Sequence, residues 1–230
     1  MYKAKDGIGV WYEKNLQPIF TNIIDTIEVS DIDIIYYYIA ISFIKNSVAL
    51  FESLKGYLRS YPVAQGMRLL MEFEADMDFL IKNPRNIKRL KKEVDKCHTD
   101  LHNKKKTWEE TIIASGKIYL YDDISGKSVE IRKRVGEVFD EEKYAFYCAY
   151  AHFNLYAICD DDENVTMLRD TKKSNWQRTA LIEFYPVILD KFINSLNTIL
   201  QNDDKIKYNS GVFKKEFGRL LIALSNAKKK

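Results

Sequence analysis

Between positions 68 and 78 the chain places Arg68, Glu72 and Asp76 at i, i+4 and i+8, with Glu74 and Asp78 interleaved. On a helix the first three form one polar file. Carboxylates beside an arginine can orient a ligand, steady the charge of a phosphate or, with shifted pKa values, exchange protons. The same spacing also builds an i, i+4 ion pair that fixes how a central helix packs, and for the file taken alone this structural interpretation is preferred. A second candidate is His152, the only histidine outside a basic segment described below. It could act as a general base if Tyr144, Tyr147, Asn154 or the acids of the 68–78 segment supplied a partner. Taken alone it reads as a core histidine hydrogen-bonded through one ring nitrogen. His98 and His102, again i, i+4, follow Asp95 by about one turn, a spacing that can hold a divalent metal. No glutamate follows the first histidine as in H-E-x-x-H, so no metal or other cofactor is assigned. Phosphate-binding loops, the dinucleotide fingerprint and the hydrolase elbow are absent as motifs.

The elements that carry these residues are helical in pattern. Residues 61–81 combine a face of Val63, Met67, Leu70, Met71, Met77 and Ile81 with a second face of Leu69, Phe73 and Leu80. Pro62 suits the first turn and Asn83-Pro84 the stop, so this helix is expected to be central. Before it, residues 11–28 form an amphipathic helix, and Ser30 caps an almost wholly apolar helix running to about Leu58. The most apolar run, Ile34 to Ile44, is too short for a membrane span. From Pro84 to about Lys106 a narrow seam of Ile87, Leu90, Val94, Cys97 and Leu101 is surrounded by basic residues that could bind nucleic acid through its phosphates, but Glu93, Asp95 and Asp100 dilute them and a solvated helix face is the preferred reading. Thr107 and Glu110 have capping-box spacing. Residues 115–128, with two Ser-Gly pairs, are expected to be a loop or small hairpin and the most mobile segment. Ser128 caps a helix to Phe139. Asp140 opens an aromatic helix through Ile158, expected to be buried, that carries Tyr144, Tyr147, His152 and Asn154. Ser174 starts a long helix to about Gln201 with a bend near Pro186, and a last helix spans about 212–224.

The whole reads as one all-α domain, residues 1–230, a bundle of about seven to nine helices from which a basic helical arm, residues 84–112, projects. Scarce glycine and proline, 9 and 4 in 230 residues, argue against a β-sandwich or a disordered chain. A net charge of +3 demands neither nucleic acid nor an anionic membrane as partner. Three cysteines, Cys97, Cys148 and Cys159, share no metal-type spacing, and a reducing cytoplasm is expected.

Gly66-Met-Arg68-Leu-Leu-Met-Glu72-Phe, then Asp76-Met-Asp-Phe-Leu, and later Tyr147-Cys-Ala-Tyr150-Ala-His152-Phe-Asn154 resemble a bacterial helical family of unknown function. Its pattern is an R-x-x-x-E helix followed by a Y-x-x-x-x-H helix. Such proteins are similar to the HEPN superfamily of helical bundles, several of which are ribonucleases in toxin–antitoxin and phage-defence systems. The resemblance covers about residues 35–200. It implies that Arg68, Glu72 and His152 meet in one interior polar site, with Asp76, Tyr147 and Asn154 as ligand-binding neighbours. The R-x(4-6)-H helix motif of catalytic HEPN proteins is missing: Phe146 and Tyr147 stand where its arginine would be. The expected function is therefore binding or sensing by a cytoplasmic, non-membrane bundle. The resemblance links it to phage defence or a toxin–antitoxin system, with a second copy in a homodimer or RNA as the expected partner. A divergent HEPN-like ribonuclease using His152 and Arg68 is the alternative.

Overall fold

A computed structural model describes residues 2–53, 60–107, 110, 119–151, 180–201, 206 and 208–227. Its helices are α1 (Tyr2–Asn15), α2 (Gln17–Glu28), α3 (Ile34–Ser53), α4 (Ser60–Lys82), α5 (Arg85–His102), α6 (Ile131–Val138), α7 (Glu141–Ala151), α8 (Tyr185–Ile199) and α9 (Ser210–Ala227). There is no strand among the described residues beyond one bridge, between Tyr121 and Ser128. The protein is an all-α helical bundle, as its periodicity predicts.

Several boundaries differ from expectation for local reasons. The single helix expected over residues 11–28 is two, α1 and α2, because Pro18 lacks an N–H and its ring crowds the Lys14 carbonyl one turn back. Ser30 does not cap α3. Its hydroxyl donates to the Thr26 carbonyl at 2.6 Å, while Asp33 Oδ1 accepts the Ile35 amide at 3.0 Å and takes the capping role. Ser128 does not cap α6 either, being held in the bridge to Tyr121. Asp140 Oδ1 accepts the Glu142 amide at 2.9 Å and opens α7 as expected. Thr107 and Glu110 exchange both bonds of a capping box, at 2.8 and 3.2 Å. Before Pro186 the chain widens into a π-helical turn, Ala180–Phe184, which relieves the clash between the proline ring and the Ile182 carbonyl.

α4 is central, packing against α3, α6, α7 and α8. Val63, Met67, Leu70, Met71 and Met77 are fully buried, and Leu80 nearly so. Each such side chain contributes on the order of 2 kcal/mol through burial. Phe43 of α3 stacks on Phe192 of α8 with ring centroids 3.7 Å apart. α1 closes the far end, where Trp11 packs against Phe213 and Phe217 of α9 at 5.0 and 4.5 Å. At 20 residues α3 outruns the short apolar stretch seen in the sequence, and by length and composition it is long and apolar enough to cross a membrane. One face, with Phe43, Ile44, Leu50 and Phe51, lies in the protein core.

The seam of α5 is half-buried throughout. Ile87, Leu90 and Val94 rest on a small cluster of Ile35, Phe79, Leu80 and Leu120, and Asn86 is the helix's one fully buried residue. α7 is less buried than its aromatic sequence predicts. Tyr144 and Tyr147 face the core, but Phe146 is 40 % exposed, because among the described residues α7 packs on α4 and α6 through its other side.

Candidate functional site

The polar file of α4 divides between two partners. Arg68 Nε donates to Glu72 Oε1 at 2.8 Å, and the Tyr144 hydroxyl of α7 donates to the same oxygen at 2.7 Å. Burial works against the Arg68 charge, but the Glu72 carboxylate outweighs it and raises the guanidinium pKa. Burial raises the Tyr144 phenol above its ordinary range, and donation to Glu72 raises it further, so this tyrosine is a fixed donor and no base. Asp76 turns instead to α6, where Arg134 Nε and Nη2 both reach Oδ1, at 2.9 and 2.8 Å. Burial lifts the Asp76 carboxyl above its usual value and Arg134 pulls it back in part. The Arg134 side chain is 10 % exposed, donates through Nη1 to the Val129 carbonyl and lies 5.7 Å from the Phe79 ring.

Arg68 and Glu72 are thus paired, as their spacing suggested, Tyr144 joins them from α7, and Asp76, the third member of the file, stands in a separate pair with Arg134. Tyr147, one turn after Tyr144, packs its ring on Phe184 at 6.2 Å, and burial alone raises its phenol. His152 and Asn154 lie outside the described residues. Asp95, His98 and His102 are exposed on α5, and among the described residues no three His, Cys, Asp or Glu side chains are grouped to hold a metal.

Three features were not foreseen. Glu74, one of the two acids interleaved with the file, falls among the apolar residues of α4, is 2 % exposed and accepts the Ser195 hydroxyl of α8 at 2.8 Å. Burial pushes its carboxyl up to about 8, against the smaller pull of Ser195, and Oε2 has no hydrogen-bond partner among the described residues. Arg134 gave no sign of burial because it sits in the basic run Ile131-Arg-Lys-Arg134. Third, residues 119–129 form the small hairpin that the sequence allowed, but it is fastened to the helices by side-chain hydrogen bonds, which the expectation of mobility did not include. Asn86 Nδ2 donates to the Tyr121 carbonyl at 2.7 Å and its Oδ1 accepts the Tyr121 amide at 2.9 Å. Asn83 Oδ1 accepts the Asp123 amide at 2.8 Å. Residues 115–118 lie outside the described residues.

The outer surface of α5 is organised as well. Arg85, Lys88, Arg89, Lys92 and Lys96 fall on one side of the helix, opposite the seam, while Glu93, Asp95 and Asp100 fall on its flanks. Arg85, Lys88, Lys92 and Lys96 are exposed, and Arg89 lies over the Tyr121 ring at 4.0 Å. Lys91, on the inner flank, is paired with Asp33 of α3 at 2.6 Å. Lys88, Lys92 and Lys96 have no ion-pair partner among the described residues. Two residues before Tyr121, Tyr119 stands 62 % exposed. Between Arg85 and Lys106 nine basic side chains face three acidic ones, a surplus of six on a chain whose total is +3, so the rest of the chain is net acidic. No family model, curated protein or solved structure matches the chain.

Proposed function

We propose that this protein acts by binding, and that its partner is single-stranded RNA laid along α5. The observation that carries the reading is the exposed ridge Arg85–Lys88–Lys92–Lys96. Four residues of helix advance about 6 Å, so the ridge offers a cation at each turn over about 16 Å. Such a row attracts a phosphate backbone through release of its counterions. Tyr119, exposed two residues before the Tyr121 backbone that Asn86 fastens to α5, supplies a flat surface on which an unpaired base stacks. The nuclease alternative draws less support. Nε of Arg68, the residue that would steady a phosphate, donates to Glu72, and Tyr144 holds that carboxylate in place.

Fluorescence anisotropy with a labelled single-stranded RNA tests both readings. Wild type should bind, and the triple variant Lys88→Glu, Lys92→Glu, Lys96→Glu should bind at least about 100-fold more weakly, given the lost and reversed phosphate contacts. Equal affinity in the two would sink the ridge as the binding surface. The probe should remain intact throughout. Shortening of the RNA by wild type, lost in folded Arg68→Ala and His152→Ala proteins, would replace binding with cleavage.

A further inference from the structure

α3 is apolar on the side that meets the core and on the side that does not. Phe43, Ile44, Ser47 and Phe51 point inward and are buried. On the opposite side Ile34, Tyr38, Ile41, Lys45 and Ala49 follow one another at helical spacings of three and four. Ile34 is 43 % and Tyr38 48 % exposed, Lys45 and Ala49 are exposed as well, and Ile41 is half-buried. With Val29 in the turn before α3, three of the eight large apolar side chains exposed among the described residues fall between positions 29 and 38.

Across the whole run from Ile34 to Ala49, Lys45 is the only charged side chain. A helix face turned to water is ordinarily lined with charge, as the outer side of α5 is. A continuous apolar stripe with one interruption marks a surface that another molecule covers. Its polar neighbour Asn46 is turned back on its own helix, Nδ2 donating to the Ser42 carbonyl at 2.8 Å. Lys45, midway along the stripe, has no ion pair among the described residues.

The order of residues along the stripe matches a second copy of itself. Within one helix Tyr38 and Lys45 stand two turns apart, about 10 Å along the axis. A second α3 laid antiparallel, with a two-fold axis between Ile41 and Ser42, brings Tyr38 opposite Lys45 of the second copy. The same register sets Ile34 opposite Ala49, a large side chain against a small one. Each lysine then lies on an aromatic ring, and symmetry makes every such contact twice. A lipid surface offers the central lysine no comparable partner.

We infer that the outward face of α3 is a dimer interface, and that its occupant is a second copy of this chain. The inference does not rest on RNA binding, because the α5 ridge shares no side chain with the stripe. From Ile34 to Ala49 the stripe is about 22 Å long and one helix wide, smaller than a standard interface. The dimer is therefore reversible, with a Kd on the order of tens of micromolar.

Sedimentation velocity of the full-length protein from about 1 to 500 µM, a range that brackets this Kd, is the test. Wild type should pass from monomer to dimer across the range. Tyr38→Lys sets lysine against Lys45 at both ends and should weaken association at least about tenfold. Adding Lys45→Tyr exchanges the two partners and should restore it. Thermal melts of both proteins should stay near wild type, since the altered side chains are exposed. The Lys88→Glu, Lys92→Glu, Lys96→Glu protein should dimerise as wild type does, so a failure of the RNA reading leaves this one standing. Wild type that stays monomeric at the highest concentration would overturn the interface. So would association that ignores Tyr38→Lys, or that the exchange fails to restore. Flotation of the protein with phosphatidylcholine vesicles, lost in Ile34→Glu, would assign the face to lipid instead.

Discussion

At position 74 a carboxyl group lies in the core with one oxygen on the Ser195 hydroxyl and the other without a hydrogen-bond partner among the described residues. Its folded-state pKa of about 8 stands above the ordinary 4.5, so between these values the native protein keeps a proton that the unfolded chain has released. Stability should therefore fall as pH rises from about 4.5 to about 8 and level off above. Each tenfold difference in proton affinity between the folded and unfolded chain is worth about 1.4 kcal/mol. Glu74→Gln, neutral at every pH, should remove that slope and leave the variant more stable than wild type by about 2 kcal/mol or more at about pH 8. Urea unfolding at mildly acidic and mildly alkaline pH checks it: parallel losses in the two proteins would show that Glu74 is ionised in the fold. The sequence displayed Glu74 as an acid among apolar residues. It could not display Ser195, 121 positions away and reached only through packing of α8 on α4. Arg68 and Glu72 were legible because their partnership is local; Tyr144 was named only as a partner for His152, and its bond to Glu72, 72 positions away, depends on how α7 packs on α4.

Between elements, what the sequence hid is mostly side chain standing in for backbone. Asn86 offers the hairpin a donor and an acceptor, as a neighbouring strand would, and no periodicity signals that role. Asn86→Ala should cost about 2–3 kcal/mol, since it leaves the Tyr121 amide and carbonyl without partners. Hydrogen exchange at the Tyr121 amide should accelerate more than at α4 core amides, and unchanged protection there would refute the clamp. Glycines make a second contrast. Gly66 lies where α4 crosses α3, and a Cβ there would stand 2.9 Å from Leu50 Cδ1 and 3.2 Å from Leu50 Cβ. Gly136, exposed in α6, would bring its Cβ no nearer than 3.8 Å to Glu141. Alanine should therefore act with opposite signs. Gly136→Ala gains about 0.5–1 kcal/mol of helix propensity, while Gly66→Ala loses about 1 kcal/mol net because overpacking exceeds that gain. A melting temperature that rises in Gly66→Ala as it does in Gly136→Ala would show that Leu50 gives way without cost.

For the molecule as a whole, fold class followed from hydrophobic periodicity, which is dictated one helix at a time and needs no long-range information. The candidate site was legible only in part, because the pairings that join α4 to α6 and α8 depend on how helices are arranged in space. Charge is the property in which the molecule departs most from its average: a total of +3 gives no hint of the surplus of six between Arg85 and Lys106. Reading along the sequence, Glu93, Asp95 and Asp100 dilute that surplus. Around the helix they leave the ridge uninterrupted, and Asp100 is paired with Lys106 at 3.2 Å. If this ridge carries RNA, affinity should fall steeply with salt, and the slope should count the phosphates engaged. For single strands log Kd changes by about 0.7 per contact for each tenfold change in salt. Four contacts, from Arg85, Lys88, Lys92 and Lys96, predict a slope of about 3, and each single lysine-to-alanine change should lower it by about 0.7 while weakening every RNA sequence alike. Tyr119→Ala should weaken binding by about 1–3 kcal/mol and leave the slope unchanged, because stacking releases no counterions. Anisotropy titrations at several salt concentrations separate these contributions. A slope near zero in wild type, or a slope that drops in Tyr119→Ala but not in Lys92→Ala, would mean that the backbone is held somewhere other than α5.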